Sequence, residues 1–377
     1  MRVVFLTHNY PRYPGDVAGA FLHPLAQALA ARNHNVVVVA PSDHGAGGTT
    51  TLDGIRVERV RYAAPDRERY AYSGRMQEAL QSPAGWLAMI RLTTALRRGA
   101  EVAAGSDPAA VIHAHWWFPA GLAAPARPCV VTLHGTDGRL LGRPGATWLA
   151  RRALRSSRVV TTVSRHVATQ VERATGRAVD EAHRSPMPVA LPSRRSAGGA
   201  GLVFVGRLTS QKRVDLAVEA HARLVASGRR LPLVIVGDGP ARAGLEALAE
   251  RLGTGLVQFV GQVAPDQVAS SIGDADVLVF PAVGEGLGLV VIEALACGVP
   301  VVACRDGGGV LDIVGAGGAG AIVEPTAPAI ADGVLAILAD AGFRSRAAAA
   351  GDRYRNDLAP ARVAERCEGW YREALGV

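Results

Sequence analysis

Short apolar runs recur along this chain, most of them leading into a helical stretch, and this alternation limits the fold most. Val3–Leu6 precedes leucines at 22, 25 and 29, spaced for one helix face, and Val36–Val39 follows. Ile55–Val60 alternates, Met76–Ala104 reads as helix broken at Pro83 and Gly85, and Val111–His113, Val130–Leu133 and Arg158–Val163 read as strands. Ser164 opens a helix after the last of these. A stretch rich in Arg, Ser, Pro and Gly, Thr175–Gly201, reads as a linker. The pattern then restarts. Strands are expected at Leu202–Val205, Leu233–Val236, Leu256–Val260, Val277–Phe280, Val299–Ala303 and Ala321–Val323. Helices are expected at Val214–Ala226, Ala241–Leu252, Gly288–Cys297, from Pro328, and at Pro360–Leu375. The last carries Val363, Cys367, Trp370 and Tyr371 on one face. Short strands alternating with helices predict α/β domains with parallel sheets covered on both faces. With 377 residues there is chain for two Rossmann-like domains, expected to face each other across a deep cleft.

Bulk properties exclude several classes. No run of about 18 apolar residues is present, so no membrane span is expected. The opening apolar run stops at His8, Asn9 and Pro11, unlike a signal peptide, which makes the cytoplasm the expected compartment. The four cysteines form no CxxC pair and have no histidine at finger spacing, so they read as buried small hydrophobes rather than metal ligands. The net charge of +8 is spread along the chain without aromatic interleaving, which disfavours nucleic acid and leaves an anionic ligand or an anionic membrane surface. Arg56, Arg59, Arg61, Arg67 and Arg69 suit a peripheral contact with such a membrane or an anionic acceptor, or are plain solvated surface. Of 41 basic residues, Lys212 alone is lysine, which singles it out for a role that a guanidinium does not fill, unless the bias is chance.

Ligands of open parallel sheets sit at the carboxyl ends of strands, and the unusual residues lie there. After Phe280 comes a turn with Gly284, Glu285, Gly286, Leu287 and Gly288, then a helix beginning near Gly288. Free amides at a helix start bind anions. Glu293 lies two helical turns beyond Glu285 and suits sugar or ribose hydroxyls; a tight turn with an exposed Glu is the plain alternative. Arg207 and Lys212 follow another strand, where two cations suit a diphosphate, or are solvated. His134-Gly-Thr-Asp137 closes a first-domain strand, and His113-Ala-His115-Trp-Trp closes another. The latter reads as packing and sugar-facing contacts, because no Cys or Glu completes a metal set. Gly19, between the first strand and first helix, offers backbone access to a phosphate, but the surrounding sequence is not GxGxxG. Asp274-Ala-Asp276 is formally DxD, yet precedes a strand and reads as strand entry.

In this order the segments resemble the large retaining glycosyltransferase family 4, of the GT-B fold. The likeness rests on the N-terminal glycine loop, HGTD at 134–137, VGRL…QK at 205–212, VGDGP at 236–240, and Glu285…Glu293 with ACGVPVV after it. The resemblance implies an acceptor domain at residues 1–190, a donor domain at 191–359, and a closing helix near 360–377 that returns to the first. It implies Arg207 and Lys212 as the diphosphate pair, Glu285 beside the donor sugar, Glu293 on the ribose, and His134 near the reaction centre. Gly19, Gly206, Gly237, Val263 and Gly286–Leu289 would line the donor, and His115 and Asp137 the acceptor side. Leu287 stands where the family has Phe, Asp312 where it has Glu, and Pro186-Met-Pro-Val-Ala replaces an Asn-Gly-Val-Asp-like stretch.

The expected reaction transfers a sugar from a UDP- or GDP-sugar to an unidentified acceptor, a small metabolite, natural product or lipid-linked molecule. Front-face attack without metal is expected, with no permanently bound cofactor. A pyridoxal-phosphate phosphorylase would need Lys212, which the diphosphate claims. An epimerase on this fold, or a non-catalytic sugar-nucleotide sensor, remain the rivals.

Overall fold

The computed structural model describes every residue but 46, 69, 73–75, 80, 144, 190 and 193–197, and the backbone alone at 77, 78, 265 and 266. The chain divides into two compact units, Met1–Val189 with Leu358–Val377, and Ala190–Asp357.

The first unit is built on β1 (Arg2–Leu6), β2 (Asn35–Pro41), β3 (Gly48–Leu52), β4 (Ile55–Val60), β5 (Val111–His115), β6 (Cys129–Leu133) and β7 (Val159–Thr162). Their order is β3-β4-β2-β1-β5-β6-β7, parallel except that β3 pairs antiparallel with β4. The helices are α1 (Leu22–Ala31), α2 (Met76–Ala79), α3 (Pro83–Ala104), α4 (Ala146–Arg155) and α5 (Arg165–Thr175). The second unit has α6 (Val214–Ala226), α7 (Arg242–Arg251), α8 (Pro265–Gly273), α9 (Leu289–Ala296), α10 (Val310–Val314), α11 (Ala327–Ala339) and α12 (Gly342–Asp357). They flank β8 (Leu202–Val205), β9 (Leu233–Val236), β10 (Val257–Gly261), β11 (Val277–Phe280), β12 (Val301–Cys304) and β13 (Gly320–Val323). This sheet is wholly parallel, in the order β10-β9-β8-β11-β12-β13. Strands buried on both faces explain the unbroken Val, Ile and Leu runs. In each sheet the order reverses once, between β1 and β5 and between β8 and β11, and such a switch point opens a crevice at the carboxyl edge.

The last helix, α13 (Pro360–Leu375), belongs to the first unit. Proline opens it and Gly376, in the left-handed region, ends it. Val363, Cys367, Trp370 and Tyr371 join the core beside Leu22, Leu25 and Leu29 of α1, each large side chain contributing about 1.5–3 kcal/mol by burial. Glu368 anchors the helix, accepting from Arg32 Nε at 2.6 Å and facing His34 Nε2 at 2.9 Å.

Two expectations need correction, and one strand goes unannounced in the sequence. Gly85 does not break α3: the interruption falls between α2 and α3. Gly85 lies inside α3, where a Cβ would stand 2.1 Å from the Ala79 carbonyl oxygen. Much of the expected linker is packed into the first unit: the Ser185 amide donates to Thr162 O at 2.9 Å, and Met187 is buried in the core. Residues 193–197 of that stretch lie outside the described residues. The exposed β3, sequence GTTTL, carried no apolar signal and was not foreseen.

Candidate functional site

In the second unit the turns after β8, β11 and β12 are laced together. Leu208 is buried, its amide donating to Asp238 O at 2.9 Å and its carbonyl accepting from Ala241 at 3.1 Å. Gly206 and Gly237, expected on the donor, meet backbone to backbone: a Cβ on Gly237 would stand 2.0 Å from Gly206 O. Arg213 takes the left-handed conformation and grips Asp306 through two nitrogens at 2.6 and 2.9 Å. Its Nε donates to Pro281 O at 2.8 Å. Asp306 escaped the sequence reading, which looked to Asp312 in that loop. The Gly284 amide donates to Asp306 O at 2.8 Å and the Gly309 amide to Glu285 O at 2.7 Å.

Lys212 and Glu285, read separately from the sequence, are brought together. Lys212 Nζ lies 2.9 Å from Glu285 Oε1 and 4.8 Å from the centroid of the Phe280 ring. Gln211, also unforeseen, donates to the same Glu285 oxygen at 2.7 Å and to Val283 O at 3.2 Å. Glu285 is thereby neutralised and fixed. Arg207 is exposed and makes no ion pair among the described residues.

Gly288, at φ 87, turns the chain into α9, which no side chain caps. The Val291 amide donates to Gly288 O at 2.9 Å, among the described residues no side chain accepts from the Leu289 or Val290 amide, and the helix dipole favours an anion there. Leu287 is buried beside this turn and Leu289 exposed. Glu293 points from the second turn of α9, half-buried, with no hydrogen-bond partner among the described residues, and burial raises its pKa. Val263 is half-buried in the turn after β10.

The first unit's switch point holds imidazoles and indoles instead. His134, half-buried after β6, has its Nε2 3.2 Å from His115 Nδ1. Its ring packs 4.5 Å from Trp116 and 5.1 Å from Phe21. Trp116 holds φ 68, a strained conformation for a bulky residue, and such strain gathers at ligand sites. His8, two residues past the end of β1, packs 4.5 Å from Trp116; in the sequence it marks only the end of the opening apolar run. Burial pushes every imidazole of the group toward the neutral form: His8 to about 4, His113 to about 3, His115 and His134 well below 6.5.

Two residues expected on the acceptor side are buried. His115 is wholly buried in β5 and stands behind His134. Asp137 is 2% exposed, and its carboxylate accepts from the amides of Trp117 (3.1 Å), His134 and Gly135 (both 3.0 Å). It clamps the His134 turn, and desolvation raises its pKa to about 6 against those bonds. A Cβ on Gly19 would stand 2.2 Å from Asn9 O, so close packing on Asn9 already requires this glycine. Arg59 is no surface cation: it is buried, with Nη1 donating to Tyr72 Oη at 2.6 Å and to Tyr10 O at 3.2 Å. Arg56 pairs with Glu58 at 2.7 Å, Arg61 donates to Gly45 O at 2.7 Å, and Arg67 is exposed. Arg69 lies outside the described residues. Asp276 anchors the entry to β8, accepting from Gly199 and Gly201 amides at 2.7 and 3.0 Å. Among the described residues no group of three His, Cys, Asp or Glu could hold a metal, and no helix is long and apolar enough to cross a membrane.

Comparison with known proteins matches residues 18–190 to the family described as Glycosyltransferase Family 4 and residues 194–354 to Glycosyl transferases group 1. Glycogen synthase of Mycobacterium tuberculosis is 30% identical over 95% of this chain and 91% of its own. The 2-deoxystreptamine glucosyltransferase of Streptomyces kanamyceticus is 34% identical over 46% of this chain, and the match spans about half (49%) of that relative. Anabaena HepE, solved in complex with UDP and glucose, shares the fold at a TM-score of 0.67, with 18% identity, covering 98% of each chain.

Proposed function

The chain belongs to glycosyltransferase family 4, of the GT-B fold, and from that premise we propose that it moves a sugar from a UDP- or GDP-sugar to an acceptor nucleophile with retained configuration. Residues 190–357 hold the donor in this reading, and the first unit serves the acceptor. The observation that carries it is the Lys212–Glu285 pair beside the uncapped start of α9, with the unpartnered Glu293 on the same helix.

A diphosphate at that start receives the α9 amides, and Arg207 and Lys212 supply the counter-charge. As the bond from the sugar's anomeric carbon to the diphosphate lengthens, negative charge grows on the phosphate oxygens, where preorganised donors stabilise it most. The acceptor oxygen bonds to the anomeric carbon on the face the diphosphate leaves, and its proton passes to a phosphate oxygen. Glu285, held by Lys212 and Gln211, is a poor nucleophile, which supports front-face attack over a covalent intermediate. It instead suits sugar hydroxyls, as Glu293, half-buried and with its pKa raised by burial, suits those of the ribose. The neutral His134 can donate or accept beside the sugar without adding charge. HepE, crystallised with UDP and glucose, lends support to a UDP-sugar as donor.

Calorimetry with UDP, GDP and ADP, followed by incubation with labelled UDP- and GDP-sugars, tests the reading. One of UDP and GDP should bind, and its sugar should be slowly hydrolysed. Binding without any turnover would favour a sensor; no binding of either would sink the proposal.

A further inference from the structure

The first unit also holds a recess that the donor chemistry leaves unused. It lies between the start of α3, the loop after β5 and the start of α4, with a volume of about 560 Å3. α3 and α4 run back against the strands they precede, so their N-terminal ends and the β5 loop share the sheet's carboxyl edge, where such sheets bind ligands. Trp117 and Phe118 form the inner wall, 1% and 7% exposed, and Trp86 and Trp148 stand at the rim, 44% and 67% exposed. Leu87 and Ile90 of α3 extend this apolar rim. Apolar surface left in water costs about 25 cal/mol per Å2, and contiguous exposed patches mark binding surfaces.

The recess is tied to the candidate reaction centre. Trp117 Nε1 donates to Asp137 O at 2.8 Å, and its amide to Asp137 Oδ2 at 3.1 Å. The same carboxylate holds the His134 amide, and the neighbouring Trp116 packs on the His134 ring. Wall and histidine turn are one rigid assembly. The size is that of a small-molecule site, and four aromatic walls suit flat rings better than flexible chains. Arg143 is the sole charged residue among those lining it, so the occupant is neutral or anionic.

We propose that this recess binds the flat apolar body of the acceptor, and that the acceptor is an aromatic hydroxyl compound. The inference rests on the reading of the first unit as the acceptor side. Its test is titration of the whole protein with 4-methylumbelliferone, followed by tryptophan emission, beside a variant carrying Trp86→Ala and Trp148→Ala. Both side chains are substantially exposed, so the fold should hold. Saturable binding is expected, roughly tenfold or more weaker in the variant, since each indole face contributes about 1 kcal/mol. The phenol should also raise nucleotide release from the donor in the native protein and fail to do so in the variant. Equal affinity in both, or no saturable binding, overturns the inference. So does a patch that binds vesicles of equimolar phosphatidylglycerol and phosphatidylcholine, loses them in the variant, and never binds the phenol. Nucleotide binding with no phenol binding sinks this inference alone; phenol binding with neither nucleotide binding nor turnover sinks the reading beneath it.

Discussion

In the second unit the turns at the switch point pair charge with charge: Lys212 on Glu285, Arg213 on Asp306, with Arg207 and Glu293 unmatched among the described residues. At the first unit's switch point desolvation removes charge, from His8, His113, His115 and His134 alike. The contrast matches what each side would handle. A leaving diphosphate needs fixed counter-charge, and paired side chains with half-open geometry can exchange one partner for another. A sugar and a neutral acceptor need hydrogen bonds of either sense without a field that would trap an ion, which neutral imidazoles and indoles supply. The difference also separates the probes: Trp86, Trp116, Trp117, Trp148 and Trp370 make up all five tryptophans, and every one belongs to the first unit.

The sharpest way to break the comparison is Lys212→Ala. If charge does the work in the second unit, turnover should fall by about a hundredfold to a thousandfold, the usual cost of losing one preorganised donor. The tryptophan spectrum should stay unchanged, because every tryptophan belongs to the first unit and Lys212 to the second. Circular dichroism checks that the second unit remains folded despite the unpaired Glu285. A variant with near-native turnover would remove Lys212 from the site.

Legibility followed the same divide. α13 was readable to its bounds because Pro360, Gly376 and four spaced apolar residues each mark it locally. α12, with the sequence GFRSRAAAAGDRYRND, has no continuous apolar face and left no period to find. The candidate residues of the second unit stood out in the sequence because loops after strands advertise glycine and charge. Their pairing was not, since Lys212 meets Glu285 across a loop gap that no local spacing encodes. The burial of His115 and Asp137 was hidden for a related reason. A polar residue at a strand's end reads as ligand-facing unless one knows that three backbone amides already occupy it.

The second test is acid. An imidazole whose folded pKa is depressed stays neutral while the unfolded chain takes up its proton below 6.5, so its contribution is complete above 6.5 and is lost as pH falls. For the fully buried His113, about 3 in the fold, this removes about 3 kcal/mol by pH 4. His8, His115 and His134 act in the same direction. Asp137 opposes them: its pKa of about 6, above 3.8, returns about the amount of one histidine over the same range. The net expectation is a first unit that loses at least about 3 kcal/mol between pH 6.5 and 4. Urea titrations followed by tryptophan emission measure it, and a midpoint that stays level across this range would break the picture of desolvated imidazoles.

The smallest effect sharpens that measurement by separating one carboxylate from the histidines. Glu368, drawn down to about 2 first by its bonds from Arg32, contributes in full above 4.5 and loses that contribution as pH falls through 2. Because Arg32 is 39% exposed, water screens part of the pair, and Glu368→Gln should cost about 1–2 kcal/mol at pH 7. The native and variant stability curves should therefore run parallel from pH 7 down to about 4.5, both falling with the histidines, and converge only below it. Curves that converge already between 6.5 and 4.5 would mean that α13, through Glu368, and not the imidazole cluster, sets the acid response of the first unit.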